Sequence, residues 1–226
     1  MSLRSHVRVS DGPNPLGTLN STTRIRGMGA TMTVAPPNTP TWPVPPEDGW
    51  TAGDLDRLPD LPPHTELLDG NLVFMSPQRN FHIYAIRLLE YGLLAARPPE
   101  LAVIREMTVT LGKRDRPEPD LMIVPKAAVI DDQQSDYRPE DVLLAVEVVS
   151  PDSVERDRDV KPRKYAGAGF PHYWRVENEK GELAVHVFER EEATGSYAPQ
   201  GIFRGRLTLE LPFPIDIDLA DPQRWL

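Results

Sequence analysis

No cysteine occurs anywhere in the 226 residues, which excludes a disulfide scaffold, a thiolate zinc site and a cysteine nucleophile at once. Nor does any apolar run approach the ~20 residues of a membrane-spanning helix, so a soluble, cytoplasmic chain is expected. Positive charge is scarce: Lys and Arg number 25 against 34 Asp and Glu, a net charge of −9. That balance excludes a protein that grips duplex DNA over a broad basic face, and any nucleic-acid contact would have to use a local patch. Aromatic residues are few, at 7%, yet hydrophobic residues at 39% beside 26% charged are enough to bury a core, which argues against wholesale disorder.

Proline, in contrast, is abundant at 25 residues, and its clustering divides the chain. Residues 1–46 hold Pro13, Pro15, Pro36, Pro37, Pro40, Pro43, Pro45 and Pro46 among Ser, Thr, Gly and Asn, with no hydrophobic period of 2 or 3.6. Arg4, Arg8, Arg24 and Arg26 face a single acid there, Asp11, so the sign of the charge changes at the boundary. This reads as a disordered tail, residues 1–46, ahead of one domain, residues 47–226. The tail lacks the continuous apolar segment of a secretory signal.

Within the domain, Thr51–Leu58 predicts a short helix closed by Pro59. Thr65–Met75 predicts a hairpin, because Asp69-Gly70 supplies the positive φ angles of a tight turn. Residues 78–97 predict the best helix, with Phe81, Ala85, Leu88, Gly92 and Ala95 on one stripe and Ile86, Leu89 and Leu93 beside it. Strands are expected over 101–111, 120–124, 142–149, 173–176, 183–189 and 207–211, with a helical piece over 153–168. The sum is a mixed α/β domain built round one sheet.

Three acids fall where the pattern is apolar. In 142–149, Leu144, Val146 and Val148 face one way, while Leu143, Ala145, Glu147 and Val149 face the other. A central strand would bury Glu147, at a cost, unless it pairs, protonates or binds a metal. Asp120 opens Leu121–Val124, and Glu66 sits in a hairpin strand beside Leu67 and Leu68. Simpler roles stay open for each: a turn cap for Asp120, a solvated strand face for Glu66, an arginine pair for Glu147. Further on, Asp157, Lys161 and Tyr165 succeed one another at four-residue intervals, one face of a continuous helix, with Lys164 nearby. Carboxylates on strands and an ammonium on the next helix could surround one hard divalent cation and a phosphate. A plain Asp157–Lys161 surface pair is the alternative. Pro162 predicts a break, either a kink or a helix starting there with Lys161 just before it.

Glu66-Leu-Leu-Asp-Gly-Asn-Leu-Val-Phe-Met-Ser-Pro77, a helix bearing His82, Pro119-Asp120-Leu-Met-Ile-Val, Leu144-Ala-Val-Glu147-Val-Val-Ser-Pro151, Asp157-x₃-Lys161-x₃-Tyr165-x₃-Gly169 and Tyr173-Trp174 stand in one order. Over residues 50–220 that order resembles the Uma2-type "putative restriction endonuclease" family, a branch of the PD-(D/E)XK nucleases. The resemblance implies a restriction-endonuclease-like mixed sheet flanked by helices, with an N-terminal hairpin and a C-terminal strand extension. It also implies a phosphodiesterase site using Mg²⁺, with Mn²⁺ as a substitute, acting on nucleic acid, DNA foremost. By position, Asp120, Glu147 and Glu66 would be metal ligands. The superfamily's usual lysine, two residues after the second acid, is replaced by Val149, and the resemblance moves the role to Lys161, with Lys164 as the competing choice. His82 either lines the cleft or faces the core. The rivals left open are a non-catalytic module that keeps the nuclease fold and a metal-dependent hydrolase of a small phosphoester; a homodimer is also left open.

Overall fold

The computed structural model describes residues 44–221. Apart from Val44, Pro45 and Pro46, the expected tail lies outside the described residues. Two short elements open the domain: helix α1 (Ala52–Leu55), capped by Thr51, whose amide and hydroxyl both donate to Asp54, and the hairpin β1 (Glu66–Leu68) and β2 (Asn71–Val73). Asp69 at φ 52° and Gly70 at φ 77° make its turn, as the Asp-Gly pair predicts. Helix α2 (Asn80–Ala96) comes next, then β3 (Leu101–Arg105), β4 (Thr108–Val109), β5 (Leu121–Pro125), β6 (Asp136–Tyr137) and β7 (Leu144–Val148). Helix α3 (Lys161–Ala168), β8 (His172–Glu179), β9 (Glu182–Glu191), β10 (Ser196–Arg204), β11 (Arg206–Leu209) and β12 (Ile215–Asp218) complete the chain.

Six strands form the central sheet in the order β10-β9-β8-β7-β5-β3. Only β7 and β8 run parallel, since they are joined by the helical crossover that contains α3; the other neighbours are antiparallel. The result is a mixed α/β fold. One face of the sheet buries Leu121, Ile123, Leu144, Val146, Val148 and Trp174 against α2 and the β11–β12 ribbon. The other packs Met122, Val124, Ala145 and Tyr173 against Tyr165 and Phe170, whose rings stack at 4.9 Å. The alternation expected in 142–149 is observed over 144–148, whereas Leu143, expected on the side of Ala145, packs against the cluster that holds Leu144.

Some expectations shift. The single strand predicted over 101–111 is broken at Glu106, whose φ of 50° turns the chain out of the sheet; beyond it, Thr108 and Val109 pair with Asp136 and Tyr137 in the small parallel β4–β6 ribbon. The sequence pattern does not predict β10, because Pro199 and Gly201 interrupt it; both are accommodated at the sheet edge, where the register slips between them. On α2 the buried stripe runs through His82, Ala85, Ile86, Leu88, Leu89 and Leu93, while Ala95 is exposed. Gly92 lets β12 approach: a Cβ there would stand 2.5 Å from Ile217 Cδ1. Gly92→Leu should therefore cost about 1–3 kcal/mol through overpacking, although leucine is the better helix former. Urea denaturation measures it, and an unchanged midpoint would show that α2 and β12 part freely.

Lys161 is not a break. A π-helical turn, Arg156–Val160, leads directly into α3. The Lys161 amide reaches back to the Arg156 carbonyl, and Lys161 itself is helical at φ −62°, ψ −45°. Pro162, which has no amide hydrogen to place, occupies the first turn of α3, where proline is tolerated. Among the described residues no helix is long and apolar enough to cross a membrane.

Candidate functional site

Three pieces of backbone carry the acids to one end of the sheet. The β5–β7 register pairs Leu121 with Val146, and continued by one residue it sets Asp120 across from Glu147. Asp120 Oδ2 also accepts the Val148 amide at 2.6 Å. Glu66 arrives on the hairpin because Leu67 exchanges backbone hydrogen bonds with Arg116, at 3.1 and 2.8 Å. This clamp lies just upstream of Asp120. Glu66 Oε1 then accepts the Glu118 amide at 2.8 Å.

Into the space between them α3 inserts Lys161, 1% exposed. Its Nζ lies 2.8 Å from Glu66 Oε1, 3.0 Å from Glu147 Oε2 and 3.8 Å from Asp157 Oδ1. Tyr165, one turn on, donates its hydroxyl to Glu147 Oε1 at 2.5 Å. Asp157 accepts the Ser153 hydroxyl, and its carbonyl accepts the Tyr173 hydroxyl at 2.6 Å. The four-residue intervals of Asp157, Lys161 and Tyr165 thus serve one buried network rather than a surface pair. Glu66, with no solvent exposure, is not on a solvated strand face, and Glu147 is held by a lysine and a tyrosine rather than an arginine.

Four buried carboxylates, those of Glu66, Asp120, Glu147 and Asp157, therefore share one buried ammonium. Such a set is short of positive charge. Burial pushes Asp120 up to about 8 although Lys161 and the Val148 amide pull it back. Burial likewise holds Glu147 well above the ordinary carboxylate range and raises Asp157. For Lys161, burial disfavours the charge, but Glu147, Glu66 and Asp157 more than reverse this, so the ammonium stays protonated. In the absence of a cation, protons make up the deficit.

A cavity of about 50 Å³ opens on the acids, lined by Glu66, Asp120, Glu106, Glu118, His64, Met75 and Gln78. Buried Glu66 Oε2 has no hydrogen-bond partner. His64 Nδ1 lies 2.5 Å from Glu118 Oε1, and that bond raises the imidazole, while burial raises Glu118. On the far side of Asp120 stands His82, 5% exposed, its Nε2 3.3 Å from Asp120 Oδ1; burial lowers the imidazole to about 4. His82 thus belongs both to the buried stripe of α2 and to the acid cluster. Beyond it a cleft of about 320 Å³ is lined by Arg79, Phe81, His82, Val149, Pro151 and Arg158, among others.

The model of the Uma2 family, described as "putative restriction endonuclease", matches residues 52–221, nearly the whole described domain. This chain belongs to the Uma2 family. A crystal structure of a "putative nuclease belonging to DUF820" from Anabaena variabilis shares its fold: 14% identity, TM-score 0.59, covering 77% of this chain and 98% of that one. No curated protein matches the chain significantly.

Of the residues singled out by sequence, this Uma2 chain brings Glu66, Asp120, Glu147, Lys161 and His82 together. Lys164 lies apart. Its Nζ is 2.6 Å from Asp69 Oδ1 and 2.7 Å from Asp115 Oδ1, pinning the hairpin turn to a neighbouring loop. The basic residues of 156–164 do not gather into one unpaired patch: Lys161 is buried, Arg163 pairs with Asp159 at 2.7 Å and Arg158 pairs with Glu177. Sequence reasoning passes over Glu118, Glu106 and His64. A signal for Glu118 is present: prolines at 117 and 119 favour extended backbone, so Glu118 and Asp120 line the same cavity. Among the described residues, the three potential ligands whose donor atoms all lie within 4.8 Å of one another are Glu177, Glu179 and His186, not the acids around Lys161. That trio is already neutralised by Arg158, Arg175 and Arg204, which a cation would have to displace.

Proposed function

We propose that this Uma2 protein is a cytoplasmic, metal-dependent endonuclease that hydrolyses phosphodiester bonds of nucleic acid, DNA foremost. What carries the reading is the burial of four carboxylates round one ammonium in a nuclease-family domain. The donor set fits a hard dication: it is all oxygen, it is short of positive charge, and Glu66 Oε2 is a buried acceptor with nothing to accept from. Asp120, Glu147 and Glu66 would hold Mg²⁺, or Mn²⁺ in its place. When bound, such an ion supplies Lewis-acid polarisation of the phosphate and a more acidic water. Lys161 fixes Glu66 and Glu147 in position, and Tyr165 sets the orientation of Glu147. Arg79 on the wall of the neighbouring cleft supplies the local positive charge that a phosphate backbone needs in a chain of net charge −9, whereas Arg158 there is paired with Glu177.

The test offers the purified protein duplex, single-stranded and branched DNA and RNA, with Mg²⁺, Mn²⁺ or chelator. Cleavage is expected with either ion and none with chelator, and Glu147→Gln should reduce it at least ~100-fold, the scale of losing a charge-stabilising group. Ion binding without cleavage of any nucleic acid would favour the small-phosphoester hydrolase. Neither binding nor cleavage would leave an interaction module that keeps the nuclease fold.

A further inference from the structure

Buried polar side chains normally find partners. Among the described residues seven buried side-chain nitrogen or oxygen atoms lack a hydrogen bond, and four of them lie in this site: Glu66 Oε2, Asp157 Oδ1 and both ring nitrogens of His82. The histidine is the odd member. A core imidazole is ordinarily kept by at least one hydrogen bond, but this one has none, although it lies on the buried stripe of α2. Its Nε2 and Asp120 Oδ1 are 3.3 Å apart, close enough to bond yet not aligned to do so. Two donors on adjacent corners of an octahedral cation, each about 2.1 Å from it, stand about 3 Å apart. The pair has the spacing of one edge of a coordination polyhedron.

We propose that His82 Nε2 joins Asp120 Oδ1 as a ligand of the divalent cation, and that this nitrogen tilts the site away from Mg²⁺ towards transition-metal dications. The inference rests on the metal-dependent reading above. Mg²⁺ is bound almost wholly through oxygen, whereas imidazole nitrogen favours first-row transition ions. An all-acid site discriminates less; one imidazole strengthens the preference for the transition ions. The location of His82 on α2, separate from the strands that carry the acids, also means that a cation would tie the helix to the sheet.

Calorimetric titration of the chelator-treated protein with Mg²⁺, Mn²⁺ and Co²⁺ tests this, with echo-detected electron paramagnetic resonance of the Mn²⁺ form. The wild type should bind Mn²⁺ and Co²⁺ more tightly than Mg²⁺ and show modulation from a directly bound ¹⁴N. His82→Gln should weaken Mn²⁺ and Co²⁺ at least ~10-fold, the scale on which even outer-shell partners act, while Mg²⁺ changes less than about threefold. The ¹⁴N signal should vanish in His82→Gln and persist in His64→Gln, which removes the imidazole at the neighbouring cavity. Equal loss for all three ions, no loss, or a missing ¹⁴N signal in the bound wild type overturns the role of His82 and leaves the metal-dependent nuclease standing. If the wild type binds none of the three ions, both readings fall. Should His82→Gln not fold, the wild-type and His64→Gln spectra decide alone.

Discussion

Replacing Lys161 by methionine should cost the metal-free protein about 3–5 kcal/mol at pH 8, the scale of a buried ion pair that loses one partner. The side chain is 1% exposed and the nearest charge to Glu66, Glu147 and Asp157, so methionine fills the volume but leaves the carboxylates with no counter-charge. Those acids can escape by taking up protons, hence the loss should shrink at pH 5. It should shrink too on adding Mn²⁺, which supplies the missing positive charge. Cleavage should be lost in either case. Lys164→Met is the contrast: its pairs with Asp69 and Asp115 lie at a more open edge, where such contacts contribute at most about 1 kcal/mol. Thermal unfolding of both variants at the two pH values, with chelator and with Mn²⁺, separates the cases. Equal stability of Lys161→Met and the wild type at pH 8 would show that the ammonium is not what balances the acids.

Asp120→Asn should flatten the pH response of the metal-free protein. In that fold the Asp120 carboxyl is raised from 3.8 to about 8, so between those values the folded state holds a proton that the unfolded state does not. Its contribution to stability is present at low pH and lost as pH rises, at about 1.4 kcal/mol per unit. Glu147 acts in the same direction. His82 acts in the opposite one: lowered from 6.5 to about 4, it loses stability as pH falls through that range and so offsets Asp120 below pH 6.5. Above it the His82 imidazole is neutral in both states, and the raised acids and the raised His64 imidazole act in one direction. From Asp120 alone the wild type with chelator should therefore lose about 2 kcal/mol between pH 6.5 and 8, a fall in Tm of roughly 4–8 °C. Asp120→Asn keeps an acceptor for the Val148 amide and has nothing to titrate, so its Tm should fall less over that window and exceed the wild type's at pH 8. Excess Mn²⁺ should restore the wild type and leave the variant unmoved. Parallel pH profiles would place the shifted carboxyl elsewhere.

How much of this is readable without coordinates depends on whether the signal is local. The Asp69-Gly70 turn, the α2 stripe and the alternation of 144–148 are local, and each is legible. The convergence of Glu66 with Asp120 is legible only as a resemblance, because the Leu67–Arg116 clamp joins segments 49 residues apart and leaves no periodic trace. Pro162 misleads for a specific reason. The rule that proline breaks a helix assumes that an amide hydrogen is missed, and directly after a π turn it is not. His82 fits a core stripe equally well whether or not its ring nitrogens are satisfied, and only atomic positions show that they are not.

The π turn has a further consequence. It is equivalent to one extra residue inside an α-helix, so everything after it is rotated by about 100° from where an uninterrupted helix would have put it. A chain lacking one residue of 156–160 other than Asp157 would still display each acid, the lysine and the tyrosine in the same order. Its ammonium would point a quarter-turn away from Glu147. The address of the lysine is written in the length of that segment as well as in its letters, so two chains with identical motifs need not share a working centre.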